Sequence, residues 1–513
     1  MKIVGSMSRT TKIIVTLISS ITLIVSGMHV TRPATSPNAW TVTLGPSKGV
    51  AQRLRRGFIG LPEANTISVQ NTSTISVPIT VTFALSNGTP ISQVFDTLVP
   101  ESFGIYAEPP GFIGTGRVEG LADNLDNFNL FGVNFELSDK GNTAYLGLRY
   151  EEPLLSETHL PNSVLGLAGR TYLPLVDQSD GWQTEFVLQN TSFSQATIVI
   201  SLFNPDGTIF ARTVGVIPSN GSLPIDVSSI ADLPQGFSGS IVTTSDQQLS
   251  VSNIRISNSG LGLRTSYPEV EGAQYSNSLV APALFKSHDL QTSRLCMQNT
   301  GSADATIEVK YTDVLTVPTV IKPFATACLN QGGEAHADGW SGGAVISSTQ
   351  PLVAVVDVLA SDSANKPVGR WTYSVPAATD LTQQTLALPV LFNNYRQLGS
   401  TVHLFNPGAT PAVLSRRYTA YADGFVFCPA PISIPPNSYI ALSQTEAAAF
   451  VDVSMGYITA TQPIAAVVEM KSSKALGTTQ RNFGYQAAYP RVPVIPQKPC
   501  DAVFAIFLPL ARR

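Results

Sequence analysis

The chain has 513 residues, too many for one domain and enough for three or four of ordinary size. Hydrophobic residues make up 43% and charged residues only 13%, with a net charge of −4, whereas soluble domains usually carry about 25% charge. That balance excludes a disordered chain, which combines low hydrophobicity with high net charge, and it offers no basic footprint for nucleic acid. Ser, Thr, Asn, Gln, Gly and Pro fill the place of the missing charge, as in an extracellular all-β protein.

At the N-terminus Lys2, Arg9 and Lys12 precede the apolar stretch Ile13 to Val25, and Ser26-Gly27 follow it. Residues 1–30 therefore read as an export signal, with Met7 as an alternative start. The rival reading is an uncleaved N-terminal anchor, because the stretch borders on the roughly 18–20 residues that span a bilayer. Its Ser and Thr content favours cleavage. Both readings place the bulk of the chain outside the cytoplasm, secreted or at the cell surface, with membrane contact only through this segment. Residues 31–39 are a polar linker.

Beyond the linker one layout recurs. A strand ending in Asn closes at Gln70-Asn71, Gln189-Asn190, Gln298-Asn299 and Phe405-Asn406. The period is close to the roughly 100 residues of an immunoglobulin-like sandwich and far longer than a solenoid repeat. The next strand alternates: Ile79, Val81 and Phe83, then Ile198, Ile200 and Leu202, then Ile307, Val309 and Tyr311 share one face, with Thr306, Glu308 and Lys310 on the other. Period two with one apolar face marks a half-buried antiparallel strand. In the fourth copy Arg416 falls between Leu414 and Tyr418, which predicts a bulge or register change. Turn signals such as Asn204-Pro-Asp-Gly207 and Ser86-Asn-Gly88 follow. Leu173-Pro174, Ala281-Pro282 and Leu388-Pro389 open three copies, where Pro is expected at a strand's first residue or on an edge.

The sequence thus predicts an all-β tandem array of four immunoglobulin-like antiparallel β-sandwich modules after the signal segment. A divergent module covers 40–165, and three closer copies cover 171–270, 278–377 and 385–490. Residues 491–513 form a Pro-rich connector and a C-terminal strand. In that strand Phe507, Leu508, Pro509 and Leu510 repeat a module's opening with no module behind it, so the tail is expected to pair with an exposed sheet edge, within its own chain or between chains.

Candidate sites are few. Asn71, Asn190, Asn299 and Asn406 stand where the chain turns, and Asn suits turns because its side chain bonds nearby backbone; a turn role is preferred over a ligand role. Cys296, Cys328, Cys428 and Cys500 allow three pairings. Cys296 with Cys328, inside one repeat, and Cys428 with Cys500 at the tail is the preferred one. His288-Asp289 and His336 with Asp338 come nearest to an acid–base or metal pair, yet read as solvated loop residues. Gly236-Phe-Ser-Gly239 and Gly339-Trp-Ser-Gly342 lack the spacing of a nucleophile elbow and lead into strands. Acidic residues cluster only in connectors, at Glu151-Glu152 and at Glu269 with Glu271. Sugar-binding sandwiches use exposed rings, and Trp182 and Trp371 are the ligand-contact candidates, with packing as the competing reading. No cofactor is implied.

The whole layout runs from Leu-Pro through Gly181-Trp182, Gln-Asn, Asn204-Pro-Asp-Gly207 and Gly-Phe-Ser-Gly to turns such as Thr461-Gln-Pro463. It resembles tandem modules in secreted and surface proteins of filamentous phototrophic bacteria and their relatives. The resemblance covers Thr171 to about Pro490 well and implies a β-sandwich fold, with no catalytic residues to carry over. The expected function is a non-enzymatic structural or adhesive surface protein, its linked modules touching other surface or matrix components. Its rivals are a carbohydrate-binding protein that meets glycans through exposed aromatics, and a hydrolase in the first module.

Overall fold

The computed structural model describes residues 29–31, 41–43, 52–60, 65–71, 75–109, 114–122, 130–136, 144–149, 169–178, 181–247, 249–257, 264–268, 270–271, 276–365, 367–382, 385–395, 398–421, 424–444, 453–472, 482–486 and 500. Among them there is no α-helix, only two short 3-10 turns, and the regular structure is otherwise antiparallel sheet. The signal segment before His29 and the tail strand at Phe507–Leu510 lie outside the described residues.

A hairpin of β1 (His29–Thr31) and β2 (Thr41–Thr43) comes first. Four sets of strands follow. The first comprises β3 (Gln52–Gly60), β4 (Asn65–Asn71), β5 (Val77–Ala84), β6 (Pro90–Leu98), β7 (Phe103–Ala107), β8 (Gly114–Ala122), β9 (Leu130–Glu136) and β10 (Ala144–Arg149). The second comprises β11 (Gly169–Asp177), β12 (Trp182–Asn190), β13 (Ala196–Phe203), β14 (Ile209–Ile217), β15 (Ser222–Asp226), β16 (Ser238–Ser245), β17 (Leu249–Ser257), β18 (Arg264–Pro268) and the short β19 (Val270–Glu271). The third has β20 (Ser276–Lys286), β21 (Gln291–Asn299), β22 (Ala305–Tyr311), β23 (Thr316–Ile321), β24 (Thr326–Asn330), the long β25 (Trp340–Ser361) and β26 (Pro367–Ser374). The fourth has β27 (Thr385–Tyr395), β28 (Leu398–Asn406), β29 (Ala412–Ala420), β30 (Val426–Phe427), β31 (Ile432–Ile434), β32 (Ser438–Ser443), β33 (Val453–Ala460), β34 (Ala465–Ser472) and β35 (Asn482–Gln486).

One strand order serves every set. In the second set the sheet β14-β13-β16-β11 faces the sheet β15-β12-β17-β18, and the first set repeats it as β6-β5-β8-β3 over β7-β4-β9-β10. In the third set β25 runs through both sheets and supplies a strand to each; in the fourth the outer strand is split into β30 and β31. The immunoglobulin order, A-B-E-D over C-F-G, is not this one. In the first two sets the first strand pairs with the sixth and the second with the seventh; in the third both pair with the long β25, and in the fourth with β33 and β34, a correction to the expected immunoglobulin-like topology. Both sheets feed each core: Leu173 and Ile241 from one sheet of the second set meet Phe186 and Val251 from the other.

The alternation expected of the third strand holds. Ile307, Val309 and Tyr311 are buried while Thr306, Glu308 and Lys310 face solvent. The register change expected at Arg416 falls on one side only: β29 pairs β33 in unbroken register from Leu414 to Ala420, but on its outer side Leu414 pairs Ile432 and Tyr418 pairs Phe427, a slip of one residue across Arg416. Arg416 lies at the rim of the core, where its guanidinium donates to the Ala430 carbonyl at 2.8 Å. The Leu-Pro prolines lie on edges, as expected, each in a stretch paired on one side only, though inside the strand and not at its first residue. Pro174, Pro282 and Pro389 sit inside β11, β20 and β27, where the register slips. Pro lacks the donor that a ladder needs, so a bulge accommodates it.

The sets are not strung out. The β5–β6 turn of the first set docks on the second, where Ser222 N donates to Ser86 O at 2.7 Å. A Cβ on Gly88 (φ +83°) would lie 2.4 Å from Ser219 O. The β13–β14 turn does the same one set on: a Cβ on Gly207 (φ +85°) would lie 2.4 Å from Pro323 O. The last strands of the sets close the circle, β10 lying against β18 and β35, and β26 against β18 and β35. The four sets therefore form a ring, with the fourth in contact with the first.

Gly207 needs both its positive φ and its missing Cβ. Gly207→Ala is expected to destabilise the protein by about 2 kcal/mol or more, and a denaturant titration against wild type checks it.

Candidate functional site: polar joints between the strand sets

The four repeated Asn residues have one arrangement. Asn71, Asn190, Asn299 and Asn406 are fully buried. Each Nδ2 donates to the carbonyl four residues on, namely Ile75, Ser194, Ala303 and Thr410, at 2.8, 2.7, 2.7 and 2.8 Å. Each also donates across the sandwich edge, to Leu98, Ile217, Ile321 and Ile434. In three of them Oδ1 accepts the backbone N–H two residues on, from Ser192, Gly301 and Gly408. The side chain thus ties three backbone groups that the turn leaves unpaired, which is why a strand that must end in a buried turn ends in Asn. Asn71-Thr-Ser73 and Asn190-Thr-Ser192 have the spacing of a glycosylation acceptor, and the burial of both Asn side chains closes them to it.

The residue before that Asn carries the joint, a role that the sequence alone did not disclose. Gln189 Nε2 donates to Gly116 O of the preceding set at 2.9 Å, and Gln298 Nε2 donates to Ser240 Oγ at 2.9 Å. Gln70 Nε2 reaches Met455 Sδ of the fourth set at 3.3 Å. The fourth copy has Phe405 instead, and its ring fills the place a side chain on Gly343 would take. The proline bulges take part as well: Thr326 Oγ1 donates to Pro174 O at 2.8 Å, and Ser68 Oγ donates to Pro389 O at 3.1 Å.

Charges concentrate at these joints. Between the second and third sets Arg294 bonds Asp177 and, at 2.8 Å, Asp357. Arg370 makes a fork onto the same Asp357, and its guanidinium lies 4.4 Å over the Trp182 ring. Burial opposes the Arg294 charge, but Asp357 and Asp177 outweigh it and hold the guanidinium above its ordinary value. Between the fourth and first sets Arg417 donates to Glu101 at 2.7 Å, both side chains being buried, and Phe103 stacks at a tilt on Tyr421 at 5.1 Å. Between the third and fourth sets a hydrogen-bonded chain runs through the interior. His403 Nε2 donates to Glu469 at 3.1 Å and His403 Nδ1 accepts from the Tyr439 hydroxyl at 2.7 Å. The other Glu469 oxygen accepts from Gln291 at 2.9 Å, and Gln291 in turn accepts from Trp371 Nε1 at 2.9 Å. Because the carboxylate only accepts, Nε2 carries the imidazole proton there.

Tyr, His and carboxylate are the residue types of acid–base chemistry, but here each bonds the next inside a joint. Burial, reinforced by the Glu469 charge, pushes the Tyr439 hydroxyl far above its ordinary value. For Glu469 burial acts upward, yet the hydrogen bond from His403, with Lys471 and Gln291, brings the carboxyl below its ordinary value of 4.5.

The aromatic candidates are corrected. Trp371 is wholly buried, stacked on Tyr373 and His403, and Trp182 is 5% exposed beneath Arg370; neither ring is presented to a ligand. His336 is also buried rather than solvated. It bonds Asp313 at 2.7 Å and Gln331 at 2.9 Å and stacks on Trp340 at 3.8 Å. Asp338, read as its partner, stands exposed near Lys286 instead. His288 is half-exposed, 3.0 Å from Gly339 O and 3.9 Å from Asp289. The side chains of Glu151, Glu152, Glu269 and Glu271 lie outside the described residues.

Both preferred disulfides are present. Cys296 and Cys328 stand directly opposite each other on β21 and β24, and Cys296 also packs into the core of the second set. Cys428 and Cys500 join the segment after β30 to the far end of the chain.

No family model matches the chain, and no curated protein matches it. Among solved structures it is similar to the "Crystal Structure of Thermotoga maritima 1070", with 16% identity over 20% of this chain and 92% of that one and a TM-score of 0.18. It is also similar to a "Structure of Glycoside Hydrolase family 32 from Bifidobacterium adolescentis", with 10% identity over 85% of this chain and 96% of that one and a TM-score of 0.12. Overlaps that slight carry neither fold nor activity to this chain.

Asn299→Ala strands two buried carbonyls and one N–H, and is expected to cost about 3 kcal/mol, measurable by chemical denaturation. Glu469 is expected to make stability acid-sensitive. Its folded value is depressed, so its contribution is present above pH 4.5 and is lost as pH falls from there through the lower folded value. Glu469→Gln is expected to flatten that acid limb, read from melting temperatures between neutral and strongly acid pH.

Proposed function

We propose that the chain is an exported, non-enzymatic structural or adhesive protein of the cell surface, built from four copies of one β-sandwich module that a ring of polar joints makes into a single rigid block. The observation that carries this reading is the use made of the chemistry-bearing side chains. Arg294, Asp177, Asp357, Arg370, Arg417, Glu101, His403 and Glu469 all bond across or beside the joints. Residues engaged in this way fix geometry. Two disulfides support an oxidising compartment, and the basic-then-apolar N-terminus supports export.

This reading replaces the spaced string by a plate. Multivalent contact then comes from surfaces held at fixed angles, which loses less entropy on binding than flexibly linked modules do. Burial of Trp182 and Trp371 takes away the two rings on which the glycan-binding alternative rested, and this reading takes other surface or matrix components as the partners.

Two measurements test the block. Solution scattering on the species of single-chain mass is expected to give a radius of gyration of about 24 Å for a compact body of this length; a string of separate modules would give about twice that. A double-mutant cycle on Glu101→Gln and Arg417→Met is expected to show coupling of about 1 kcal/mol or more, each single change being costly because it leaves a buried charge unpaired. Zero coupling with an extended scattering profile would sink the proposal.

A further inference from the structure

Each set leaves one strand at the outer edge of its larger sheet, and the four edges differ in how they are guarded. An unpaired edge is a template for another strand, and proteins blunt it with proline, charge or interruption. The third set places Pro318 in the middle of β23. The fourth breaks its edge strand into β30 and β31 around Cys428-Pro429-Ala430-Pro431. The first carries Asp96 on β6, whose carboxylate accepts from the Tyr106 hydroxyl at 2.7 Å. The second has neither proline nor interruption, and its one charge is the exposed Arg212. Strand β14, Ile209-Phe-Ala-Arg-Thr-Val-Gly-Val-Ile217, holds no proline and no acidic residue, and among the described residues it pairs with β13 alone. Its solvent side shows Ile209, Val214 and Val216, the last two 68% and 57% exposed.

The same chain contains a segment suited to that edge. Residues 503–508, Val-Phe-Ala-Ile-Phe-Leu, are uncharged, rich in strand formers and followed by Pro509, which cannot extend a ladder. They follow Cys500, and Cys500 is held by Cys428 at the rim of the fourth set. Only Asp501 and Ala502 intervene, a spacer of about 10 Å when extended. In the ring the fourth set touches the first and the third, so the second lies across from it, a whole sandwich away. A spacer that short cannot bring the segment to its own β14.

We infer that residues 503–508 of one copy add as a strand to the open edge of β14 in a second copy, joining rings tail to edge. The contact is heterologous: each copy offers one segment and one edge, so the joining repeats rather than closing at two unless geometry brings it round. Main-chain hydrogen bonds along β14 supply affinity, and Val214 and Val216 cover one face of the incoming strand. This deepens the structural reading above and rests on it.

The test uses the full chain and two variants that each lose one half of the contact. Deletion of 501–513 removes the strand; Val214→Lys with Val216→Lys blunts the edge at two exposed positions that the fold does not need. Light scattering over a dilution series is expected to show wild type at twice the chain mass or more, and each variant at the chain mass, with association weakened about tenfold or more. Mixing the two variants restores one intact contact, and a one-to-one pair that grows no further is the expected product. Wild type that stays at the chain mass, or variants that associate as wild type does, overturns the inference. A soluble peptide of residues 501–510 provides a second readout: it is expected to bind the tail-deleted chain and not the double-lysine chain. Since the radius of gyration of the single chain reports the ring independently, a wild type that stays at the chain mass while compact counts against this contact alone, while an extended single chain counts against the scaffold.

Discussion

The structure depends on the joint between the fourth set and the first. Three joints alone would leave an open arc, whose ends could move apart by small rotations at each contact. The Arg417–Glu101 pair, with Gln70 on Met455 and Ser68 on the Pro389 carbonyl, brings the last set back onto the first with the contacts that the other sets use on their neighbours. Once closed, a ring cannot open at one joint without straining the others, so each weak polar contact is held at high effective concentration by the remaining three. Buried ion pairs add little stability by themselves, because desolvation offsets the attraction. Their value here is in fixing which set meets which, and at what angle.

The joints explain features that look like defects within a single set. A proline inside β11 or β27 spoils a ladder, but the bulge around it turns a carbonyl outward, where a hydroxyl from the adjoining set takes it. Glycine in the β5–β6 and β13–β14 turns is needed twice over, for the turn's positive φ and for the approach of the next set's backbone. Gln in place of an apolar residue at the end of the second strand would weaken an isolated sandwich; across a joint its amide finds a partner. Where the sequence puts Phe405 instead, the opposite position has become Gly343, so the exchange of a polar contact for an apolar one is complementary on both sides.

What was legible in the sequence follows from what is local. The alternation of Ile307, Val309 and Tyr311 against Thr306, Glu308 and Lys310 reports one buried face, whichever sandwich contains it. The Asn turns were legible because the physical demand, unpaired backbone in a buried bend, recurs at the same place in every copy. Strand order was not, since any antiparallel sandwich shows the same period of two, and a period near 100 residues pointed to the wrong one. The ring was hidden for a different reason. Gln70, Gln189 and Gln298 do repeat, but a Gln beside a turn Asn does not say what its amide meets, and the Arg, Glu and Phe contacts change from joint to joint. Trp371 misled because ligand-binding rings and packed rings look alike in sequence, and here the next set covers it. Arg416 signalled a real break, but one confined to the outer strand, the pairing with β33 running on unbroken.

A ring of sheets has to deal with its rim. Inward edges can be absorbed by a neighbour or by the last strands around the axis, so the outer strands are left as the places where pairing is unfinished. Selection against aggregation acts on each edge separately, and three of the four carry a proline, an interruption or a bonded carboxylate. One charge in nine residues, Arg212, is close to the chain's 13% average, so charge alone does not set β14 apart. What does is the lack of a proline or a break together with a register held with β13 from Ala211 to Ile217. A continuous, proline-free edge beside edges that are broken or carry a proline is the arrangement that receives a strand.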